Sequence, residues 1–261
     1  MESLYNVSLD DSAGVTWALT RYAHGRRGMW LMGPPELSAK VDVKTRATTT
    51  QVGATPIGWS IDKMEGTLKL GFHAEDAPLA ESWRLFVRNV TPFEESVLRV
   101  VVPGKTALSC RLLVKDRVPD PGVSPATLGL RSFTVDVPVV CYEGCWRGET
   151  TRHTGEVVIH NPGDLPLWPR VKWQGNGVTT VTAPGVGQVE LPRTGNRVAV
   201  LDTDPAKASM ITVGGEPAPD LWRRLRGRVF PQPIPPGGRA TWVFGGGATG
   251  MVTPLFTSMW R

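Results

Sequence analysis

The sequence predicts a mainly β protein, with an N-terminal β-sandwich or split-barrel domain that carries one α-helix, followed by a C-terminal β-sandwich. Three observations support this fold class. Short apolar runs alternate with turn residues, glycine (29) and proline (23) are spread along all 261 residues, and one segment has helical periodicity. A chain of this length can bury two cores, so we expect two domains.

Several segments of the first half have the composition of β-strands. Residues 15–19 and 29–32 are short apolar runs, and the second ends at Gly33-Pro34-Pro35. In residues 67–73 the apolar side chains occupy every second position, which is the period of a half-buried strand. Three more runs predict strands, and a segment rich in proline and glycine predicts a loop: 97–102, 111–115 and 133–137, with the loop at 117–125.

Residues 76–89 have the periodicity of an α-helix instead. Four apolar residues fall at i, i+4, i+7 and i+8, which places them on one helical face: Leu79, Trp83, Phe86 and Val87. Asp76 is positioned to cap the helix, and Pro78 is tolerated in the first turn. The sequence therefore predicts one substantial helix, packed across an open face of the sheet.

The domain boundary is predicted at Pro138. The alternating run that ends at Val137 comes directly before this proline, and a proline cannot donate to a strand ladder. We therefore expect a turn here. The predicted domains are residues 1–138, which contain the helix, and residues 139–261.

Residues 160–177 contain the strongest local signal in the chain. Asn161-Pro162-Gly163-Asp164 joins four turn-forming residues, because proline presets φ, glycine accepts positive φ, and Asn and Asp bond to nearby backbone. A β-branched run precedes this turn, and an alternating run at 170–173 follows it. The sequence predicts a β-hairpin with residues 161–164 as its turn.

Four residues of this stretch have a spacing that resembles the start of the galectin-like C-terminal domain of siphovirus-type distal tail proteins: Asn161, Gly163, Pro169 and Gly175. These are minor tail proteins of long-tailed bacteriophages. Two later segments resemble the family in the same order, an apolar strand that ends at Asp202-Thr203 and a Pro-Gly stretch from Pro235 followed by the last strands. The resemblance implies a galectin-like β-sandwich at 139–261 and covers the N-terminal half more loosely.

The resemblance also implies a function. Distal tail proteins are structural proteins that assemble head-to-tail into a hexameric ring at the end of the tail tube, which they connect to the tail-tip or baseplate hub. The expected partners are further copies of the chain, the tail tube protein, the tail-associated hub protein and the tape-measure protein. DNA would pass through the lumen without specific binding, and the protein would be located at the tail tip of the virion.

Turn residues separate a further series of strand-like runs in the second half: 156–160, 169–173, 178–182, 187–191, 197–201, 208–213, 228–230, 240–244 and 251–257. The glycine-rich segment 245–250 lacks the lysine of a phosphate loop and joins two of these runs, which predicts a hairpin loop. The basic run at 223–228 predicts a solvated strand or turn face, with an anionic partner as the alternative.

Composition argues against nucleic-acid and membrane proteins. The net charge of +5 is mild, and the basic residues are interspersed with acidic ones, whereas nucleic-acid-binding proteins concentrate them on one face. The sequence has neither a signal-peptide pattern nor a run of about 18 apolar residues, so synthesis in the host cytoplasm and no membrane association are expected. Cys110, Cys141 and Cys145 are predicted to be reduced and buried.

Catalytic and metal-binding patterns are missing from the sequence. It contains no Gly-x-Ser-x-Gly elbow, no His-Glu-x-x-His pair and no phosphate-binding loop. Asp202-x-Asp204 lacks the glycine and distal glutamate of a calcium loop, so it predicts a turn at the end of a strand. We therefore predict no catalytic residue, no cofactor and no metal, and a protein that is not an enzyme.

A non-catalytic carbohydrate-binding module for host cell-wall glycans is the alternative function. A lectin-like sandwich binds sugars on an aromatic face, and the stacking candidates are Trp168, Trp173 and Trp242. Against this, His160-Asn161-Pro162 is followed by glycine where a galectin-type cassette has arginine.

Overall fold

Strands form most of the regular structure, as the sequence predicts. The computed structural model describes residues 5–20, 28–47, 52–74, 78–207, 210–225, 227–228 and 232–260. The chain forms two units, Met1–Arg147 with Thr257–Arg261, and Gly148–Phe256. The first unit thus extends past Pro138, where the sequence places the boundary.

In the described part of the first unit there are ten strands and one helix: β1 (Asn6–Asp10), β2 (Thr16–Ala18), β3 (Met29–Leu31), β4 (Lys40–Arg46), β5 (Thr55–Asp62), β6 (Met64–His73), α1 (Leu79–Asn89), β7 (Ser96–Val101), β8 (Leu108–Val114), β9 (Ser132–Cys141) and β10 (Trp146–Arg147). Seven strands form an antiparallel sheet in the order β2-β1-β7-β8-β9-β6-β3. The backbone N–H of Leu31 donates to the carbonyl of Leu19 (2.8 Å), so the two edges of this sheet approach each other and the sheet nearly closes.

Helix α1 confirms the predicted main helix, and its apolar face packs on the aromatic core of the sheet. Phe86 is fully buried, with its ring centroid 5.9 Å from that of Trp17 and 5.4 Å from that of Phe72, both in edge-to-face geometry. The helix begins at Leu79, and the predicted cap Asp76 lies outside the described residues. The amphipathic spacing thus predicted the burial of Leu79 and Phe86 correctly, and Trp83 also packs against Phe72 (5.5 Å between ring centroids). Val87, which the same pattern places on this face, is 38% exposed.

The buried carboxylate of Asp11 joins the β1–β2 turn to the end of α1. Its Oδ1 accepts hydrogen bonds from the backbone N–H groups of Ala13 and Val15, and its Oδ2 accepts from Trp17 Nε1 (2.9 Å) and Asn89 Nδ2 (3.0 Å). Buried polar groups that lose such a partner are costly, because water cannot replace it.

Asp11→Ala is expected to lower the free energy of unfolding by about 3 kcal/mol or more, since it leaves several donors unpaired. Urea unfolding of the full chain measures this loss. Asp10→Ala is the matched control: Asp10 pairs with Arg99 near the surface (2.7 Å), and its loss should cost about 1 kcal/mol or less. Equal losses from the two variants would contradict the role assigned to Asp11.

The turn predicted at Pro138 is wrong, because β9 continues through this residue. Pro138 lies opposite Thr67 of β6, and its carbonyl accepts a hydrogen bond from the N–H of Lys115 (2.8 Å), just beyond the end of β8. The N–H and C=O of a residue in an antiparallel strand point to the same side. The missing N–H of proline therefore faces the end of β8, where the ladder stops, and interrupts no bond to β6.

In the second unit the described residues form eleven strands, a short α-helix and a 3₁₀ turn: β11 (Thr151–His153), β12 (Gly155–His160), β13 (Arg170–Gly175), β14 (Thr179–Ala183), β15 (Gly187–Leu191), β16 (Gly195–Asp202), the 3₁₀ turn (Pro205–Lys207), β17 (Ile211–Val213), β18 (Glu216–Pro217), α2 (Pro219–Leu225), β19 (Arg239–Gly245), β20 (Thr249–Val252) and β21 (Leu255–Phe256). Two antiparallel sheets, β11-β20-β13-β16-β17-β18 and β12-β19-β14-β15, contribute to one buried core. This confirms the predicted C-terminal β-sandwich.

The predicted hairpin around residues 161–164 is wrong. Strand β12 pairs with β19 in the four-stranded sheet, whereas β13 pairs with β16 and β20 in the six-stranded sheet, so the turn carries the chain between the two sheets. Asn161 is fully buried and organises this crossing. Its Nδ2 donates to the carbonyls of Leu165 (2.8 Å) and Ile234 (2.9 Å), and its Oδ1 accepts from Gly163 N–H.

Two other local predictions also need correction. The segment 245–250 is not a hairpin loop, because β19 and β20 belong to different sheets. Gly246 has φ of +63°, and a Cβ there would lie 2.0 Å from the carbonyl oxygen of Val178, so the crossing requires glycine. The basic run at 223–228 begins in helix α2 and not in a strand or turn, since Arg223 and Arg224 lie in the last turn of the helix. Leu221 and Leu225, four residues apart, form the buried side of this helix. Val229 and Phe230, in the predicted strand 228–230, lie outside the described residues.

None of the helices in the described part of the chain is long and apolar enough to cross a lipid bilayer.

The turn predicted at Asp202-x-Asp204 is present. Strand β16 ends at Asp202, and the Oδ1 of Asp202 accepts a hydrogen bond from the N–H of Asp204 (3.1 Å).

Candidate assembly surface

Strands β4 and β5 form a two-stranded antiparallel hairpin that is separate from the main sheet of the first unit. Every residue of β4 is exposed, as are most of β5. At the base of the hairpin, a Cβ added to Gly144 would lie 2.4 Å from the carbonyl oxygen of Asp62. The backbone of the turn between β9 and β10 is therefore packed against the end of the hairpin. The hairpin is thus held at one end and exposed along its length.

One face of the hairpin is apolar. Val41 lies opposite Ile61 and Val43 lies opposite Trp59, and directly paired residues project from the same face of a sheet. Val41, Val43 and Trp59 are 48%, 53% and 53% exposed. We call the two pairs, Val41 with Ile61 and Val43 with Trp59, the hairpin face. Ile57, at an irregularity in the pairing, adds a further exposed apolar side chain next to it.

The other face of the hairpin is polar, with Lys40 opposite Asp62 and Asp42 opposite Ser60. A hairpin that met water on both sides would not need this asymmetry. Two-stranded hairpins are marginally stable by themselves and gain stability when an apolar face is covered. The arrangement therefore indicates a surface that another molecule covers.

The hairpin face was not predicted, although its signal is present in the sequence. Valine alternates with charged residues from Lys40 to Lys44, and Ile57, Trp59 and Ile61 alternate along the partner strand. The intervening segment, which includes residues 48–51 outside the described part, gave no clear turn.

The three tryptophans predicted for glycan stacking do not form a common exposed face. Trp173 and Trp242 are 2% and 3% exposed and belong to the sandwich core. The indole of Trp173 donates to the carbonyl of Pro192 (2.8 Å), and that of Trp242 stacks on Phe244. Trp168 is half-buried, so glycan stacking stays a prediction for that residue alone.

The three cysteines are buried and form no disulfide bond with one another, as predicted. A hydrogen bond with the Cys110 thiol lowers the pKa of Cys141 to about 7, against the effect of burial, and the same contact raises the pKa of Cys110. Within the described ranges, no group of three or more His, Cys, Asp or Glu residues is arranged to hold a metal ion. The three thiols belong to the buried core of the first unit.

Comparison with known proteins gives matches only among solved structures. No protein-family model and no curated protein sequence matches the chain. The crystal structure of the Dit protein of phage SPP1, described as a paradigm of the hub adsorption apparatus in phages that infect Gram-positive bacteria, matches with a TM-score of 0.61 and 9% sequence identity. The match covers 97% of this chain and 100% of the SPP1 protein. This chain has the Dit fold.

Two structures of the phage P2 baseplate in its activated conformation are also similar. The chain matched in the calcium structure has a TM-score of 0.54 at 10% identity and covers 97% of this chain and 98% of its own length. The strontium structure gives a TM-score of 0.54 at 10% identity, with 96% and 98% covered. The Dit fold therefore spans both units, and the resemblance to distal tail proteins is confirmed at the level of the fold.

Proposed function

We propose that this chain is a structural, non-enzymatic component of a bacteriophage tail, a distal tail protein whose copies form a ring at the end of the tail tube. The observation that carries the proposal is the end-to-end match with the SPP1 Dit protein, which leaves almost no part of either chain uncovered. A fold shared over both units is a stronger argument for a shared role than a match to one common β-sandwich.

The hairpin face supplies the contact that a ring needs. It is apolar, it is exposed in the single chain, and it has no equivalent on the opposite face of the same hairpin. When a patch on one copy binds a different patch on the next copy, the contacts are head-to-tail, and they close into a ring if the rotation between copies divides a full turn. A second copy of this chain is the proposed occupant of the face, and the number six follows from the family resemblance.

The other proposed partners follow from the position in the tail. The tail tube protein would stack on one side of the ring and the tail-associated hub on the other, with the tape-measure protein reaching the lumen. DNA would pass through without sequence-specific contacts, which suits a chain with a mild net charge of +5. The proposed location of the protein is the tail tip of the virion.

Light scattering and negative-stain microscopy of the purified full chain test the ring. We expect a hexamer, or a smaller species that forms a ring when the tail tube and hub proteins are added. The proposal fails if the chain stays a strict monomer at high concentration and images of the tail tip show no ring that contains it.

A further inference from the structure

One edge of the six-stranded sheet in the second unit carries a cleft of about 370 Å³, formed by β17, β18, α2 and the segment that leads into β16. Three arginines line it: Arg193 before β16, Arg197 within β16 and Arg224 on α2. None of them forms an ion pair with a described residue. We call this feature the arginine cleft.

The acidic residues of the arginine cleft do not neutralise these arginines. Asp220 is already paired with Arg223, which precedes Arg224 on α2. Glu216 lines the cleft and has no ion pair with any residue in the described ranges. The cleft therefore offers three guanidinium groups and one carboxylate to a ligand.

The backbone that carries these groups is held in place. Both neighbours of Arg193 are hydrogen-bonded to β13. The carbonyl of Pro192 accepts from the indole N–H of Trp173. The N–H of Thr194 donates to the carbonyl of Gly175, and the Thr194 hydroxyl accepts from the N–H of Gly175 (3.1 Å each). On the other wall, burial of Leu221 and Leu225 fixes the helix that presents Arg224. A site with a fixed backbone loses less entropy when a ligand binds.

We propose that the arginine cleft binds a sugar that carries an anionic group, either a phosphate or a carboxylate. Guanidinium groups bind both oxyanions through paired, charge-assisted hydrogen bonds. The carboxylate of Glu216 accepts hydrogen bonds from hydroxyl groups but repels a second anion, which favours a hydroxylated ring with one charge over an acidic peptide. The volume is at the lower end of the range of about 300–1,000 Å³ for small-molecule sites, which suits one sugar unit.

This inference goes beyond the proposed tail function and does not depend on it. It also differs from aromatic stacking on Trp168, Trp173 or Trp242, because the arginine cleft uses charge and hydroxyl recognition and needs no exposed indole.

Calorimetric titration of the full chain with four probes tests the ligand class: glucose 1-phosphate, glucuronic acid, inorganic phosphate and glucose. We expect one of the two anionic sugars to bind about tenfold or more tightly than phosphate or glucose alone, since it makes both kinds of contact. The tighter of the two identifies the anion as phosphate or carboxylate. The proposal is overturned if neither anionic sugar binds, if phosphate alone binds as tightly, or if an oligoglutamate peptide binds more tightly than both.

Variants locate the binding. Arg197→Ala and Arg224→Ala, on separate elements, are each expected to weaken binding of the preferred anionic sugar about tenfold or more. Arg152→Ala is the matched control, because Arg152 is exposed on β11 at the opposite edge of the same sheet. Equal weakening by the control would show attraction to diffuse positive charge and would overturn the proposal.

Glu216→Gln separates hydroxyl recognition from charge. It should reduce the preference for the anionic sugar over inorganic phosphate, since amide and carboxylate accept hydroxyl bonds with different strength. A variant that raised both affinities by the same factor would overturn the role given to Glu216. Melting temperatures of all four variants should match that of the unmodified chain, because these side chains are exposed.

Discussion

Val43→Asp is expected to prevent the chain from forming a ring while leaving each subunit folded. Val43 lies at the centre of the hairpin face, between Val41 on its own strand and Trp59 opposite, and it is 53% exposed in the single chain. If a second copy covers this face, the variant places a charge in an apolar contact. Loss of a central contact residue costs about 2–4 kcal/mol, which is a 30-fold to 1,000-fold weaker association for every contact in the ring.

Light scattering measures the change in mass, and thermal unfolding verifies that the subunit remains folded. The matched control is Lys44→Asp, which introduces the same side chain one residue further along, on the polar face opposite Gly58. It changes the net charge by more than Val43→Asp does, yet it should leave assembly almost unchanged. Rings that persist in Val43→Asp, or that are lost equally in both variants, would exclude the hairpin face as the contact between copies.

Secondary structure was predicted correctly where it depends on the residues of a single element. The spacing of Leu79, Trp83 and Phe86 predicted the buried face of α1, because helical periodicity depends only on residues within a few turns. Alternation in 67–73 and 133–137 likewise predicted two strands that the structure pairs as β6 and β9. Both patterns show which side of an element is apolar, and that side depends only on the residues of the element.

Prediction failed where the partner of an element had to be known. Asn161-Pro162-Gly163-Asp164 predicts that the chain turns, and it does, but the same residues serve a hairpin and a crossing between sheets. What distinguishes the two is the carbonyl of Ile234, which accepts from Asn161 although it lies far along the chain. The glycine segment at 245–250 failed for the same reason, since local turn chemistry does not specify the sheet that the next strand joins.

The candidate sites show the same division. The hairpin face was readable from the alternation in Lys40–Arg46, and only the unclear turn between its strands obscured it. The arginine cleft could not be predicted from the sequence, because Arg193 and Arg197 lie on one segment and Arg224 on another, and the two segments meet only in the folded sandwich. Burial of Trp173 and Trp242 was equally hidden, since an indole suits both a core and a sugar platform.

Asn161→Ala is expected to produce the largest loss of stability in the second unit. The substitution removes the partners of three backbone groups, the carbonyls of Leu165 and Ile234 and the N–H of Gly163. All three bonds are buried, and each unpaired group costs about 1–3 kcal/mol, so we expect a total loss of about 3–5 kcal/mol. Amide hydrogen exchange within residues 148–256 measures this loss separately from the stability of the first unit.

Two further variants identify the cause of the loss. Asn176→Ala removes the same side chain from an exposed turn and should change stability by about 0.5 kcal/mol or less. Asn161→Asp keeps the shape and the acceptor for Gly163 but removes both donors, so it should be nearly as destabilising as alanine. If Asn161→Asp is tolerated, shape at the turn is enough. If it is not, and Asn161→Ala, which introduces no buried charge, is destabilising as well, the two bonds donated by Nδ2 hold the crossing together.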